Sequence, residues 1–123
     1  MLAQTELIFG MLCAAETNER MQALQEQVMP LLSAHRDKIR LDEKLFARVK
    51  DVYDRRASLG LDAEQSRLLR KTYDAFVRSG ALLDAGQKAR LKEINGELSL
   101  TAVKFGNNIL AENNNFALEL TAD

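Results

Sequence analysis

Apolar residues recur at steps of three and four along almost the whole chain, the signature of helix after helix rather than of strands. The first helix reads as Gln4 to Ala14, with Leu7, Ile8, Met11 and Leu12 on one face. Thr17 or Asn18 can cap a second, whose stripe is Met21, Leu24, Val28, Leu31, Leu32, His35 and Ile39. Pro30 falls inside that stripe, where a missing donor and a clash with the preceding turn predict a kink rather than a stop. Asp42 caps a third helix with Leu45, Phe46, Val49, Val52 and Tyr53 inward, and Gly60 is placed to end it.

The next two starts share one design, Leu61-Asp62-Ala63-Glu64-Gln65 and Leu83-Asp84-Ala85-Gly86-Gln87. In each the aspartate can accept from free amides of the first turn, and the glutamine three residues on can reach back to the cap amide. The fourth helix, about Ala63 to Ser79, carries Leu68, Leu69, Tyr73, Phe76 and Val77 inward, and Gly80 closes it. The fifth runs from Ala85 to about Glu112, with Leu91, Ile94, Leu98, Ala102, Phe105 and Ile109 on one stripe and a stop at Asn113-Asn114-Asn115. Gly96 and Gly106 inside it predict a bend or a close approach by another helix. Such a helix would be roughly 42 Å long, whereas a compact chain of this length has a radius of gyration near ~14 Å. Phe116 to Leu120 alternates in the strand manner, with no second strand to pair with. The pattern therefore predicts an all-α fold: a single domain over residues 1–123, a bundle of about five helices with one long C-terminal helix and a short extended tail.

Composition narrows the function classes. The chain has 123 residues, 46% hydrophobic and 28% charged, ordinary for a globular domain. Seventeen basic residues against eighteen acidic ones argue against a nucleic-acid binder, which needs a clustered basic excess. The local excess between Arg36 and Arg56 is spread over two helices and reads as a solvated face. Leu7 to Ala15 is uncharged but far short of the ~20 residues of a membrane span, and no basic segment precedes it as in a signal peptide. With a single cysteine, Cys13, no internal disulfide can form. A cytoplasmic protein, off the membrane, is expected.

Candidate chemistry is sparse. His35 could act as an acid, base or ligand, but its place on an apolar stripe suggests a partly buried histidine with a hydrogen-bond partner. Cys13 could be a nucleophile activated by His35, though a small buried thiol packed in a helix is the simpler reading. Glu93 and Glu97 are helix neighbours beside Arg90 and Lys92, as on an exposed charged face. The amides of Asn107, Asn108 and Asn113 to Asn115 could bind an extended peptide, or could merely satisfy the orphan carbonyls of a helix end. No catalytic, metal-binding or substrate-binding residue is assigned.

Three stretches in order carry a resemblance: Leu32-Ser33-Ala34-His35-Arg36-Asp37 leading into Asp42-Glu43-Lys44-Leu45-Phe46; RKTYDAFVRSGALLD from Arg70 to Asp84; and KFGNNILAENNNFALEL from Lys104 to Leu120. The sequence resembles the N-terminal helical region of the thimet-oligopeptidase family of zinc metallopeptidases, closest to its bacterial peptidyl-dipeptidase and oligopeptidase A branch. The resemblance implies a largely helical protein in which two halves enclose a channel admitting short peptides. It also implies zinc, held by His-Glu-x-x-His and a downstream glutamate in the C-terminal half. That motif is missing here, since His35 is followed by Arg36. The expectation is a non-catalytic helical piece of channel wall, without a cofactor of its own. Its partners would be the rest of the peptidase or a second copy of itself, and short peptides would concern only the full-length parent. The alternative is a stand-alone helical interaction module that self-associates or binds a partner helix.

Overall fold

A computed structural model describes residues 2–15 and 17–117, and among these every regular element is helical. The elements are α1 (Leu2–Ala15), α2 (Glu19–Arg40), α3 (Glu43–Asp54), a short 3-10 turn (Arg56–Ser58), α4 (Ala63–Arg78) and α5 (Ala85–Asn115). The all-α class, the five helices and the long last helix are as the periodicity predicts.

The helix starts follow from side-chain chemistry. Asn18 Oδ1 accepts from the Met21 amide at 3.0 Å, which settles the cap of α2 in favour of Asn18 over Thr17. Asp42 Oδ1 accepts from Leu45 N at 2.7 Å. Both predicted capping boxes form: Asp62 Oδ1 accepts from Gln65 N at 2.8 Å while Gln65 Oε1 accepts from Asp62 N at 3.2 Å. Asp84 and Gln87 repeat that geometry at 2.8 and 3.2 Å.

The ends depart from expectation in two places. α3 stops at Asp54, and the 3-10 turn intervenes before Gly60 adopts φ 61°. α5 does not stop at Asn113; all three asparagines lie in its last turn, and Phe116 N still donates to Glu112 O at 3.1 Å. Asparagine costs a helix well under 1 kcal/mol per residue, too little to halt one already propagating. α2 continues through Pro30. Phe116 and Ala117 have no regular structure, and the rest of the expected strand, residues 118–120, lies outside the described residues.

The chain divides into two compact units, Leu32–Gly96, and Met1–Leu31 together with Glu97–Asp123. In the first, the core is Phe46, Phe76 and Ala81, with Val49, Tyr73 and Val77 packed against it. Phe46 stacks on Tyr73 and Phe76 at centroid distances of 5.8 and 5.9 Å, and Tyr53 lies on Tyr73 at 4.0 Å. Offset stacks of this kind add to area burial. Leu45, Val52 and Leu68, expected inward, are exposed instead. Buried Lys88, in the first turn of α5, donates to Glu43 Oε1 at 2.9 Å and so ties α5 to the start of α3.

In the second unit, Val103 of α5 is the buried residue, at 7% exposure, among those described. α1 turns Phe9 and Cys13 partly inward and leaves Leu7, Ile8, Met11 and Leu12, its predicted inner face, exposed. The predicted stripe of α2 is split, with Met21, Val28 and Leu32 partly buried and Leu24, Leu31, His35 and Ile39 exposed, and in α5 Ile94, Leu98, Phe105 and Ile109 are exposed. Each helix carries apolar residues on more than one side, so periodicity alone could not choose the covered one. Nothing lies within 4 Å of a Cβ built on Gly96 or Gly106, so the predicted close approach does not occur at either.

The turn after α4 carries the clearest backbone constraint. Gly80 has φ 92°, and an added Cβ would lie 2.7 Å from Leu91 Cδ2 and 2.9 Å from Leu83 Cδ1. Gly60 has φ 61° but faces open space. Gly60→Ala is therefore expected to cost only the left-handed strain, about 1–2 kcal/mol. Gly80→Ala adds the displacement of two leucines, typically a further 1–3 kcal/mol for an overfilled site. Urea denaturation of the two variants checks the order.

Candidate functional site

The residues singled out for chemistry are divided between the two units. His35 is exposed on α2, not partly buried, and lines a 400 Å³ depression with Lys38, Ile39, Asp42, Lys44, Leu45 and Arg48. Cys13 belongs to the other unit, partly buried on α1, and that burial pushes its thiol above the usual cysteine range. A nucleophilic cysteine needs the opposite shift. Glu93 accepts from Arg90 at 2.9 Å as an exposed surface pair, while Glu97 lies in the other unit. Of the asparagines, Asn107 is partly covered and Asn108 and Asn113 to Asn115 are exposed along α5. Among the described residues no three His, Cys, Asp or Glu side chains gather closely enough to hold a metal ion. The described residues do not fit a zinc site.

The structure does bring together a set that sequence reasoning passed over. Asn95 Nδ2 donates to Asp37 Oδ1 at 2.8 Å, and Ser33 Oγ donates to the Asn95 carbonyl at 3.4 Å. Ser33 and Asp37 are one turn apart on α2, so both reach the same turn of α5. The available signal was that spacing, inside the first stretch of the family resemblance. Beside it lies a cavity of about 710 Å³ lined by the cationic Arg36, Arg40 and Arg78 and by the apolar Ile39, Phe76 and Leu91. The Arg40 guanidinium stands 5.3 Å from the centre of the Phe76 ring, a cation–π contact worth ~0.5–1 kcal/mol where solvent reaches it. A second cavity of 440 Å³, largely apolar, runs between α3 and α4 along Val49, Val52, Leu61, Leu68 and Leu69. These features offer packing surface and cationic groups. No helix of the described residues is long and apolar enough to cross a membrane.

Two outcomes are expected. Asn95→Ala should lower stability by about 1–3 kcal/mol, because it strips the partner from a half-buried carboxylate, as read from denaturant midpoints. Cys13 should alkylate more slowly than a small free thiol at mildly alkaline pH in the native chain, and at the free rate after unfolding.

No family model matches the sequence. Two curated proteins do: dipeptidyl carboxypeptidase of Escherichia coli K12, 39% identical over 113 residues, and dipeptidyl carboxypeptidase of Salmonella typhimurium LT2, 39% identical over 111. The matches cover 92% and 90% of this chain but only 17% and 16% of those proteins, so the chain spans about a sixth of the length of the relatives it matches. At that identity over nine-tenths of its residues, the chain is homologous to a small part of bacterial dipeptidyl carboxypeptidase.

Proposed function

We infer that this chain is a non-catalytic helical packing segment, equivalent to a piece of the channel wall of a zinc oligopeptidase that hydrolyses short peptides. The observation that carries the inference is the homology: nearly the whole chain aligns with one small part of a dipeptidyl carboxypeptidase. The peptide-cleaving chemistry would then lie in residues outside this segment, in a site where zinc activates water. Two features support the reading. Donor groups able to hold a metal do not gather among the described residues. Large apolar side chains of α1 and α2 are turned to solvent, which is how a segment looks when its covering partner is another part of a larger fold. The second reading, a helical interaction module, draws on the same exposed faces and names a different cover.

Peptide cleavage decides the catalytic question. The purified chain, supplied with zinc and a short peptide, is expected to release no fragment and to retain less than one equivalent of zinc after gel filtration. Chelator-sensitive cleavage by homogeneous material would overturn the reading. A dipeptidyl carboxypeptidase lacking the matching segment should in turn retain this chain when the two are co-expressed.

A further inference from the structure

α5 carries two apolar sides in the unit formed by residues 1–31 and 97–123. Val103 faces inward, at 7% exposure, whereas Leu98 and Phe105 stand on the opposite side at 63% and 65%. Ile109, one turn beyond Phe105, is exposed on that same face. Aromatic and leucine side chains this open form a patch that seeks a partner.

We propose that this outer face of α5 pairs with the same face of a second copy, the two helices antiparallel about a two-fold axis at Thr101 and Ala102. Three observations fit that occupant. First, Leu98 and Phe105 are equidistant from the point between Thr101 and Ala102. Antiparallel pairing about that point sets Leu98 of each copy against Phe105 of the other, the self-complementarity an isologous contact needs. Second, the centre is small and leaves no polar group wanting. Ala102 is exposed, and the Thr101 hydroxyl already donates to Glu97 O of its own helix at 2.8 Å. Two helices can therefore approach closely there without stranding a donor.

Third, the flanking charges match. Glu97 and Lys104 are both exposed and seven residues apart, two turns on one flank of the helix. In the proposed register Glu97 of one copy and Lys104 of the other are offset by two residues, about 3 Å along the axis. Symmetry makes that pair twice. Charge complementarity of this kind fixes register more than it adds affinity. One helix face is also smaller than the roughly 1,200 Å² at which stable interfaces begin. The dimer is thus expected to be reversible and concentration-dependent.

The proposal does not rest on the peptidase reading: peptide cleavage by the chain would leave it standing. Analytical ultracentrifugation of the full chain over a wide concentration range is expected to show a monomer–dimer equilibrium. Phe105→Asp should weaken it on the order of thirtyfold, as for a central aromatic anchor, with the helical circular dichroism unchanged. Lys104→Glu should weaken it by several-fold, and Lys104→Glu combined with Glu97→Lys should restore it, because the swap re-creates both pairs. Oxidation of Ala102→Cys in a Cys13→Ser chain should give a covalent dimer, while Asn113→Cys in the same background should not. A monomer at every concentration, a dimer indifferent to Phe105→Asp, or a charge swap that fails to rescue would each overturn the proposal. Capture of the chain by a longer peptidase polypeptide with no self-association would overturn it too, by assigning the face to that polypeptide.

Discussion

The contact between α3 and α4 is the fixed point of the Leu32–Gly96 unit. Phe46 enters from one helix, Tyr73 and Phe76 from the other, and Phe76 is the most buried large residue described, at 4% exposure. Truncating such an aromatic typically costs 3–5 kcal/mol, a large share of a small unit's stability. Other features of the unit depend on this stack. Arg40 rests on the outer surface of Phe76, Ala81 closes the core beyond Gly80, and the turn at Gly80 must be tight for Leu83 and Leu91 to reach it.

The polar contacts have a different role. Asp37 with Asn95, and Lys88 with Glu43, hold α5 to α2 and α3 through one or two directed bonds each. Hydrogen bonds of this sort contribute about 1 kcal/mol net, so they select a register more than they supply stability.

Much of the fold was legible in the sequence, and the parts that were not share one cause. Caps are local: Asp62 with Gln65 and Asp84 with Gln87 meet within one turn, so no distant residue could alter them. The inward residues of α4 were mostly correct because that helix is polar on its other side, leaving one apolar direction for Tyr73, Phe76 and Val77. α1 offered no such asymmetry, since Glu6 is its single charged residue among the described ones and is itself half-buried. The candidate residues fared similarly. His35 lay on the predicted stripe, but on its exposed part with Leu31 and Ile39. Ser33, Asp37 and Asn95 went unnoticed because they meet across about 60 residues of chain, a separation that no local pattern spans.

The amino-acid sequence alone determined that the chain is helical, where three of its five helices begin, and that it resembles part of a zinc-peptidase family without carrying the zinc motif. These follow from one-turn interactions and from residue order, both carried within the chain. Only the tertiary structure decided which side of α1, α2 and α5 is covered. That choice is made by competition among faces for one limited partner surface, and a helix with two apolar sides can satisfy it in only one direction.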